Sequence, residues 1–230
     1  VDNPGSEEIT QGLKLRILIT AGPTREFIDP VRFISNSSIG FFGYQIASEA
    51  IRRGHKVTLI SGPTHLAPPG GARFIPVTSA LEMKREVEIF FPKCDCLIMS
   101  AAVSDYRPAR IYPGKIKKEK SRLTLKLERN PDILSIAAKK KGGRMIIGFA
   151  LESGDLKKSA RRKLETKNLD YIVATKINKR NPPFGDRKIR VLIIPGAGKA
   201  ETVFSSKKNL SRIILDKAAA TKYAYSGSKI

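Results

Sequence analysis

The chain has 230 residues, 41% of them hydrophobic, and a formal net charge of +22 at pH 7. That length suits one sizeable α/β domain with a full core and is short for two independent ones, and no apolar run approaches the length of a membrane-spanning helix. The first twelve residues are polar and acidic rather than basic then apolar, so neither a signal nor a transit peptide is read there and a cytoplasmic protein is expected.

Residues 1–12 read as a linker or disordered remnant of a chain trimmed at its start, since no initiator methionine is present, and 13–225 read as the folded domain. Residues 16–20 form a β-branched-rich run stopped by Gly22-Pro23, the pattern of a first parallel strand. A long loop follows, carrying TREFIDPVRFISNSS, and a loop of that length inside a compact domain is usually functional. Residues 39–43 then open a helix that ends near Gly54. Strands are predicted at 56–61 and 73–77, with a Pro-Gly turn at 68–71 between them, and Thr78-Ser79 caps a helix over 81–91.

The continuous apolar run 96–99 reads as a buried central strand, which delivers Ala101, Ala102, Ser104, Asp105 and Arg107 to its carboxyl end. Its neighbours Cys94 and Cys96 lack further soft ligands at metal-site spacing, the only histidines being His55 and His65, so they read as strand residues in a reducing compartment. A basic loop over 107–122 leads to 123–128, whose period-two alternation predicts one arm of a flap. Asn130 caps a helix with Pro131 at its first position. Strands at 145–149, 170–175 and 189–194 with 202–204, and helices at 155–167 and 209–223, complete the pattern, and 226–230 read as a loose tail. Strands alternating with helices predict a doubly wound, Rossmann-like, mostly parallel sheet with a β flap.

The basic excess gathers at 107–122, 139–141 and 157–167 with few interleaved aromatics. That favours phosphate over stacked bases, and neither nucleic acid nor membrane is expected as a partner. A dinucleotide site would want G-x-G-x-x-G in the first strand-to-helix turn, where this chain has Ala21-Gly22-Pro23-Thr24. Gly40 and Gly43 instead open the first helix after Ser37 and Ser38, where free N–H groups and the helix dipole suit phosphates, although a short G-x-x-G serves helix packing equally well. Lys163 and Lys167, four apart, share a helix face.

The segments AAVSDYRP at 101–108, KIKK at 115–118, NPDIL at 130–134, TAGPTRE with DPVRFISN at 20–36, and GFALE at 148–152 resemble, in order, the bacterial, CTP-dependent type of phosphopantothenoylcysteine synthetase, also called phosphopantothenate-cysteine ligase. The resemblance runs from about Leu13 to the end of the chain. It implies a ligase of coenzyme A biosynthesis that joins phosphopantothenate and L-cysteine through an acyl cytidylate, with CTP converted to CMP and pyrophosphate and Mg²⁺ as cofactor. It implies a homodimer with the DPVRFISN loop near the interface, and in many bacteria a fused phosphopantothenoylcysteine decarboxylase. By match to the family's motifs, Asn36 and Lys115 are the catalytic residues, the asparagine serving the second half-reaction and the lysine the charge gathered during acyl-nucleotide formation. Ser37, Ser38, Gly40, Gly43, Ala101, Asp105, Lys115, Pro131, Asp132, Ile133, Leu134, Phe149, Lys163 and Lys167 are the matched nucleotide-binding positions. Asp105 suits either a ribose hydroxyl or Mg²⁺, and the sequence leaves both open. The chain departs from the family at Ile39 and Phe41, where a serine and a lysine are usual, at Leu151 and Ser153, and at Thr175, which precedes the loop 176–187.

Overall fold

In a computed structural model, residues 14–117, 121–178, 181 and 183–227 are described. The linker expected over 1–12, Lys118 of the KIKK run and parts of the loop 176–187 lie outside them.

Eight strands make the main sheet: β1 (Arg16–Ala21), β4 (Lys56–Ser61), β5 (Arg73–Pro76), β6 (Cys96–Met99), β9 (Met145–Glu152), β10 (Tyr171–Lys176), β11 (Ile189–Pro195) and β12 (Glu201–Ser205). Their spatial order is β12-β11-β10-β9-β6-β1-β4-β5. Six strands from β5 to β10 run parallel, and β11 and β12 add an antiparallel edge. The doubly wound sheet is therefore present, and its order reverses between β1 and β6, where such sheets open a crevice beyond the strands' carboxyl ends.

Continuous apolar sequence makes the central strands because both faces are covered. Ile17, Ile19 and Ala21 point into one core with Tyr44, Ile46, Ala47 and Ala50 of α1 (Phe41–Arg52) and Leu210, Ile214 and Ala218 of α5 (Lys207–Gly227). Leu18 points the other way, into a second core with Met83 and Val87 of α2 (Ala80–Phe90), Ile133 and Ala137 of α3 (Ile133–Lys139), and Ala160 and Leu164 of α4 (Leu156–Thr166). Cys94 and Cys96 are free and buried, and burial pushes the Cys94 thiol up to about 12; Cys96 opens β6 as expected, whereas Cys94 is no strand residue but the end of a short 3-10 turn over Phe91–Lys93.

Four boundaries differ from the sequence pattern. The long loop after β1 contains a hairpin, β2 (Arg25–Phe27) paired with β3 (Phe33–Ser35), too short to show periodicity. The flap pairs β7 (Tyr106–Pro108) with β8 (Leu127–Arg129), so the arm expected over 123–128 is confined to its end. One further bond, from the Ala109 N–H to the Lys126 carbonyl at 2.9 Å, continues the pairing just past Pro108. Helix α3 is capped by Asp132, whose carboxylate accepts from the Ser135 N–H at 3.0 Å, not by Asn130, and Pro131 stands before the helix. The Asn130 amide instead donates to the Ser104 carbonyl at 2.8 Å. Helix α5 begins at Lys207, with the Ser206 hydroxyl accepting from the Asn209 N–H, and runs through Gly227 into the expected tail, whose residues 228–230 lie outside the described set.

Candidate functional site

The loops after β1 and β6 are stitched together at the crevice. The Ser100 hydroxyl donates to the Thr20 carbonyl at 2.6 Å, the Ala102 N–H to the Gly22 carbonyl at 2.9 Å, and the Ser104 N–H to the buried Thr24 hydroxyl at 3.0 Å. A carboxyl-end loop that would otherwise wander is thus fixed in register. Thr20 and Thr24, which the sequence patterns did not single out, supply two of these acceptors; only their place at a strand end pointed to them.

Two cavities open on opposite faces of the carboxyl ends of β6 and β9, and Ala101 and Phe149 line both. The cavity on the α3 and α4 side, about 430 Å³, collects Ala101, Asp105, Pro131, Asp132, Ile133, Leu134, Phe149, Lys163 and Lys167. Nine of the positions read from sequence thus meet in one place, drawn from four separate segments. Lys163 pairs with Glu152 at 2.6 Å and Lys167 with Asp132 at 2.7 Å. Burial works to raise the Asp132 carboxyl, and the Lys167 bond and the Ser135 N–H outweigh it, holding the pKa below the usual range. The Ser104 hydroxyl, buried in the same wall, has no hydrogen-bond partner among the described residues, which leaves a donor and an acceptor to whatever fills the cavity.

The cavity on the α1 and α5 side, about 160 Å³, is lined by Ser38, Gly40, Phe41, Phe42, Leu151, Thr175, Phe184 and Lys207, among others. Gly40 is the N-cap of α1 at φ 78°, a left-handed conformation that favours glycine, and its N–H is held by the Ser38 hydroxyl at 3.2 Å. No side chain caps the helix, so its first-turn N–H groups remain available at the cavity. Gly43 lines neither cavity. A Cβ there would meet the Ala21 Cβ and the Ser100 Oγ at 2.6 Å, so its role in this geometry is close packing of α1 on the sheet.

Asn36, Ser37 and Lys115 also lie outside both cavity walls. The Asn36 amide donates to the Ala102 and Val103 carbonyls at 3.0 and 3.2 Å, and so braces the loop after β6. Lys115 is exposed on the loop after β7. That loop is tied down through its neighbour: the Ile116 N–H donates to Asp29 at 3.1 Å, and Arg32 donates to the Ile116 carbonyl at 3.3 Å. Asp29, fully buried, also accepts from the N–H groups of Val31 and Arg32 and from the Arg32 guanidinium. Burial would raise its pKa, but the N–H groups of Val31, Ile116 and Arg32, with the Arg32 charge, hold it below the usual carboxylate range. Sequence reasoning quoted Asp29 within DPVRFISN but gave it no role.

Among the described residues no group of three or more His, Cys, Asp or Glu is placed to hold a metal. The donor set fits Mg²⁺ carried on a nucleotide's phosphates with Asp105 as a single carboxylate, the usual mode for that ion, rather than a cage built by the protein. No helix among the described residues is long and apolar enough to cross a membrane.

The description "DNA/pantothenate metabolism flavoprotein C-terminal domain" matches residues 13–221. The chain is 43% identical over 206 residues to the coenzyme A biosynthesis bifunctional protein CoaBC of Bacillus subtilis, covering 89% of this chain and 51% of that protein. To CoaBC of Escherichia coli K12 it is 39% identical over 213 residues, 91% of this chain and 52% of that one. The chain therefore spans about half the length of these relatives. Among solved structures, the C-terminal domain of a CoaBC superposes with a TM-score of 0.77 at 37% identity, covering 90% of this chain and 94% of that one. By the match to its domain and by these relatives, the chain belongs to the family of the DNA/pantothenate metabolism flavoprotein C-terminal domain.

Proposed function

We propose that the chain is a CTP-dependent phosphopantothenate-cysteine ligase. The single observation that carries this is the pair of cavities meeting at Ala101 and Phe149. A reaction that joins a carboxylate to a nucleotide α-phosphorus needs the nucleotide held with its α-phosphate open to the acid, and two compartments that meet at one wall can hold its two ends. The polar cavity with Lys163, Lys167 and the α3 N-terminus suits a nucleoside triphosphate, with Phe149 as a face for the base. The smaller one, with Ser38, Gly40 and the free N–H groups at the α1 N-terminus, suits the nucleotide's phosphates, the part the resemblance gives to those residues. The CoaBC relatives are named for coenzyme A biosynthesis and are called bifunctional, which agrees with a partner activity in their other half; the decarboxylase of the same pathway is the activity we assign to it.

In this reading the carboxylate oxygen of phosphopantothenate attacks the α-phosphorus of CTP, the bond to the β-phosphate oxygen breaks, and pyrophosphate leaves. Lys115, brought in by its loop, neutralises charge on the leaving group, and Mg²⁺ would screen the phosphates with Asp105 as its protein ligand. The cysteine amine then attacks the acyl carbon, loses a proton, and expels CMP. Asn36, at the joint of the β6 loop, serves this second step by donating to the tetrahedral oxyanion, for which it must exchange one of its present carbonyl partners. The protein acts in the cytoplasm as a homodimer. The test is pyrophosphate release with CTP, Mg²⁺ and phosphopantothenate, with and without cysteine, beside an ATP control. Turnover with CTP that requires cysteine for completion is expected, and no release with either nucleotide would overturn the assignment.

A further inference from the structure

Lys207 is the first residue of α5, and at 2% exposed it is the largest fully buried side chain among the described residues. Both facts run against local preference. A buried ammonium without a counter-ion is costly, and a cation in the first turn of a helix opposes the helix dipole. No acidic residue stands in the first turn of α5 to offset this. Among the described residues no carboxylate forms an ion pair with Lys207; the ammonium donates to the Gly185 carbonyl and lies 5.9 Å from the Phe41 ring centroid. Burial lowers its pKa, and the longer-range attraction of Asp186 works the other way. A carbonyl and an aromatic face offset part of the desolvation and leave the charge unneutralised.

The cavity on the α1 side gives that charge a use. Lys207 is the only charged residue among those described in its wall. Phe41, beside which the ammonium lies, opens α1, whose first turn has neither a side-chain cap nor an acidic residue. A lysine is usual at that position in the family the sequence resembles, and here a cation reaches the same helix end from α5 instead. The cavity meets the larger one at Ala101 and Phe149. A nucleotide whose base and ribose fill the larger cavity thus turns its α-phosphate to the shared wall and its β- and γ-phosphates towards Lys207. A triphosphate carries most of its charge at that far end, and a cation there acts with little water to screen it.

We propose that Lys207 is a nucleotide-binding residue that receives the β- and γ-phosphates at the α1 N-terminus, and so selects a triphosphate over a monophosphate and holds the pyrophosphate as it leaves. The nucleotide completes the ion pair that the folded protein lacks. The same preference lets CMP depart at the end of the cycle, since it has no group that reaches the ammonium. This rests on the ligase reading above, and it goes beyond it in assigning the far end of the triphosphate to a residue outside every motif of the resemblance.

The test compares binding of CTP and CMP, each with Mg²⁺ and without the acid, by calorimetry in the wild type, Lys207→Met and Lys207→Arg. Expected is a loss of at least about 30-fold for CTP in Lys207→Met, the scale of removing one partner of a buried charge pair, with CMP unchanged and part of the loss restored in Lys207→Arg. Equal weakening of both nucleotides, which a merely structural lysine would give, overturns the assignment, and so does no weakening of either. A wild type that binds CTP no more tightly than CMP overturns it and leaves the ligase reading to its own test of pyrophosphate release; a wild type that binds neither overturns both. If Lys207→Met does not fold, Lys207→Gln, which keeps a donor for the Gly185 carbonyl, takes its place under the same expectations.

Discussion

Asp29 stays ionised although it is buried, because three backbone N–H groups and one guanidinium replace the water it loses. One of those N–H groups belongs to Ile116, so the same carboxylate holds the hairpin turn and the loop that carries Lys115. Asp29→Ala is expected to lower kcat about 10- to 100-fold, as misplacement of a catalytic group does, with KM for phosphopantothenate little changed and circular dichroism unaltered. Unchanged kcat would separate Asp29 from the positioning of Lys115. Lys115→Gln is expected to impair turnover while the fold stays intact, and a variant with normal turnover would remove Lys115 from the mechanism. Glu49, paired with Arg52 and Arg53, has its pKa lowered from 4.5 to about 2, first by the Arg52 bond. A depressed carboxyl pKa stabilises the fold fully above 4.5, and that contribution is lost as pH falls towards about 2. Screening of the exposed Arg52 limits it to about 1–2 kcal/mol. Glu49→Gln is therefore expected to flatten the decline in denaturant stability between those pH values, and an unaltered slope would contradict the pairing.

Helix α1 shows how a single element serves both packing and binding. Its buried positions Ile46, Ala47 and Ala50 fix it against β1, and Glu49, through Arg53 and Asp216, ties it to α5. Its amino end can reach the crevice only because Gly43 allows it to approach Ala21 and Ser100 closely. Gly43→Ala should force these apart, costing about 1–3 kcal/mol as overpacking does, and should move the α1 N-terminus relative to Ala101. Thermal melting together with KM for CTP would read both effects, and a variant with wild-type values for each would show that the helix has slack. The flap is the contrasting case. Strands β7 and β8 pair over three residues each and the apolar side chains of Leu123 and Leu127 remain exposed, so the ladder is supported chiefly by Arg107, which pairs with Glu128 at 2.6 Å and donates to the Arg129 carbonyl at 2.9 Å.

The whole molecule leaves an apolar surface on the β2–β3 hairpin, where Val31 is 58% and Phe33 41% exposed. Such a patch on a hairpin tip suits a second copy of the chain. Val31→Glu with Phe33→Glu is expected to convert a dimer to a monomer in analytical ultracentrifugation and to lower turnover, since the hairpin turn is bonded to the Lys115 loop; a wild type that sediments as a monomer at micromolar concentration would dispose of the homodimer. The net charge of +22 acts at this scale too. It raises the encounter rate with anionic substrates, and turnover at limiting substrate should fall as salt rises.

The sequence by itself determined the fold class, and its resemblance to the synthetase family pointed to nine residues that the structure brings to one cavity. Uninterrupted β-branched runs can be satisfied only by a sheet covered on both faces, whereas NPDIL, Phe149, Lys163 and Lys167 were legible as site residues through the resemblance and not from local pattern. Cap identity at α3 was less legible, since Asn130 and Asp132 both suit a cap and only the tertiary demand of the Ser104 carbonyl for the Asn130 amide decided between them. The hairpin, the division into two cavities, the bracing of Lys115 by Asp29 and the burial of Lys207 were decided by tertiary structure alone. Each depends on partners far apart in the chain, 87 residues for Asp29 and Ile116, and no local propensity encodes which distant groups will meet when the sheet is wound.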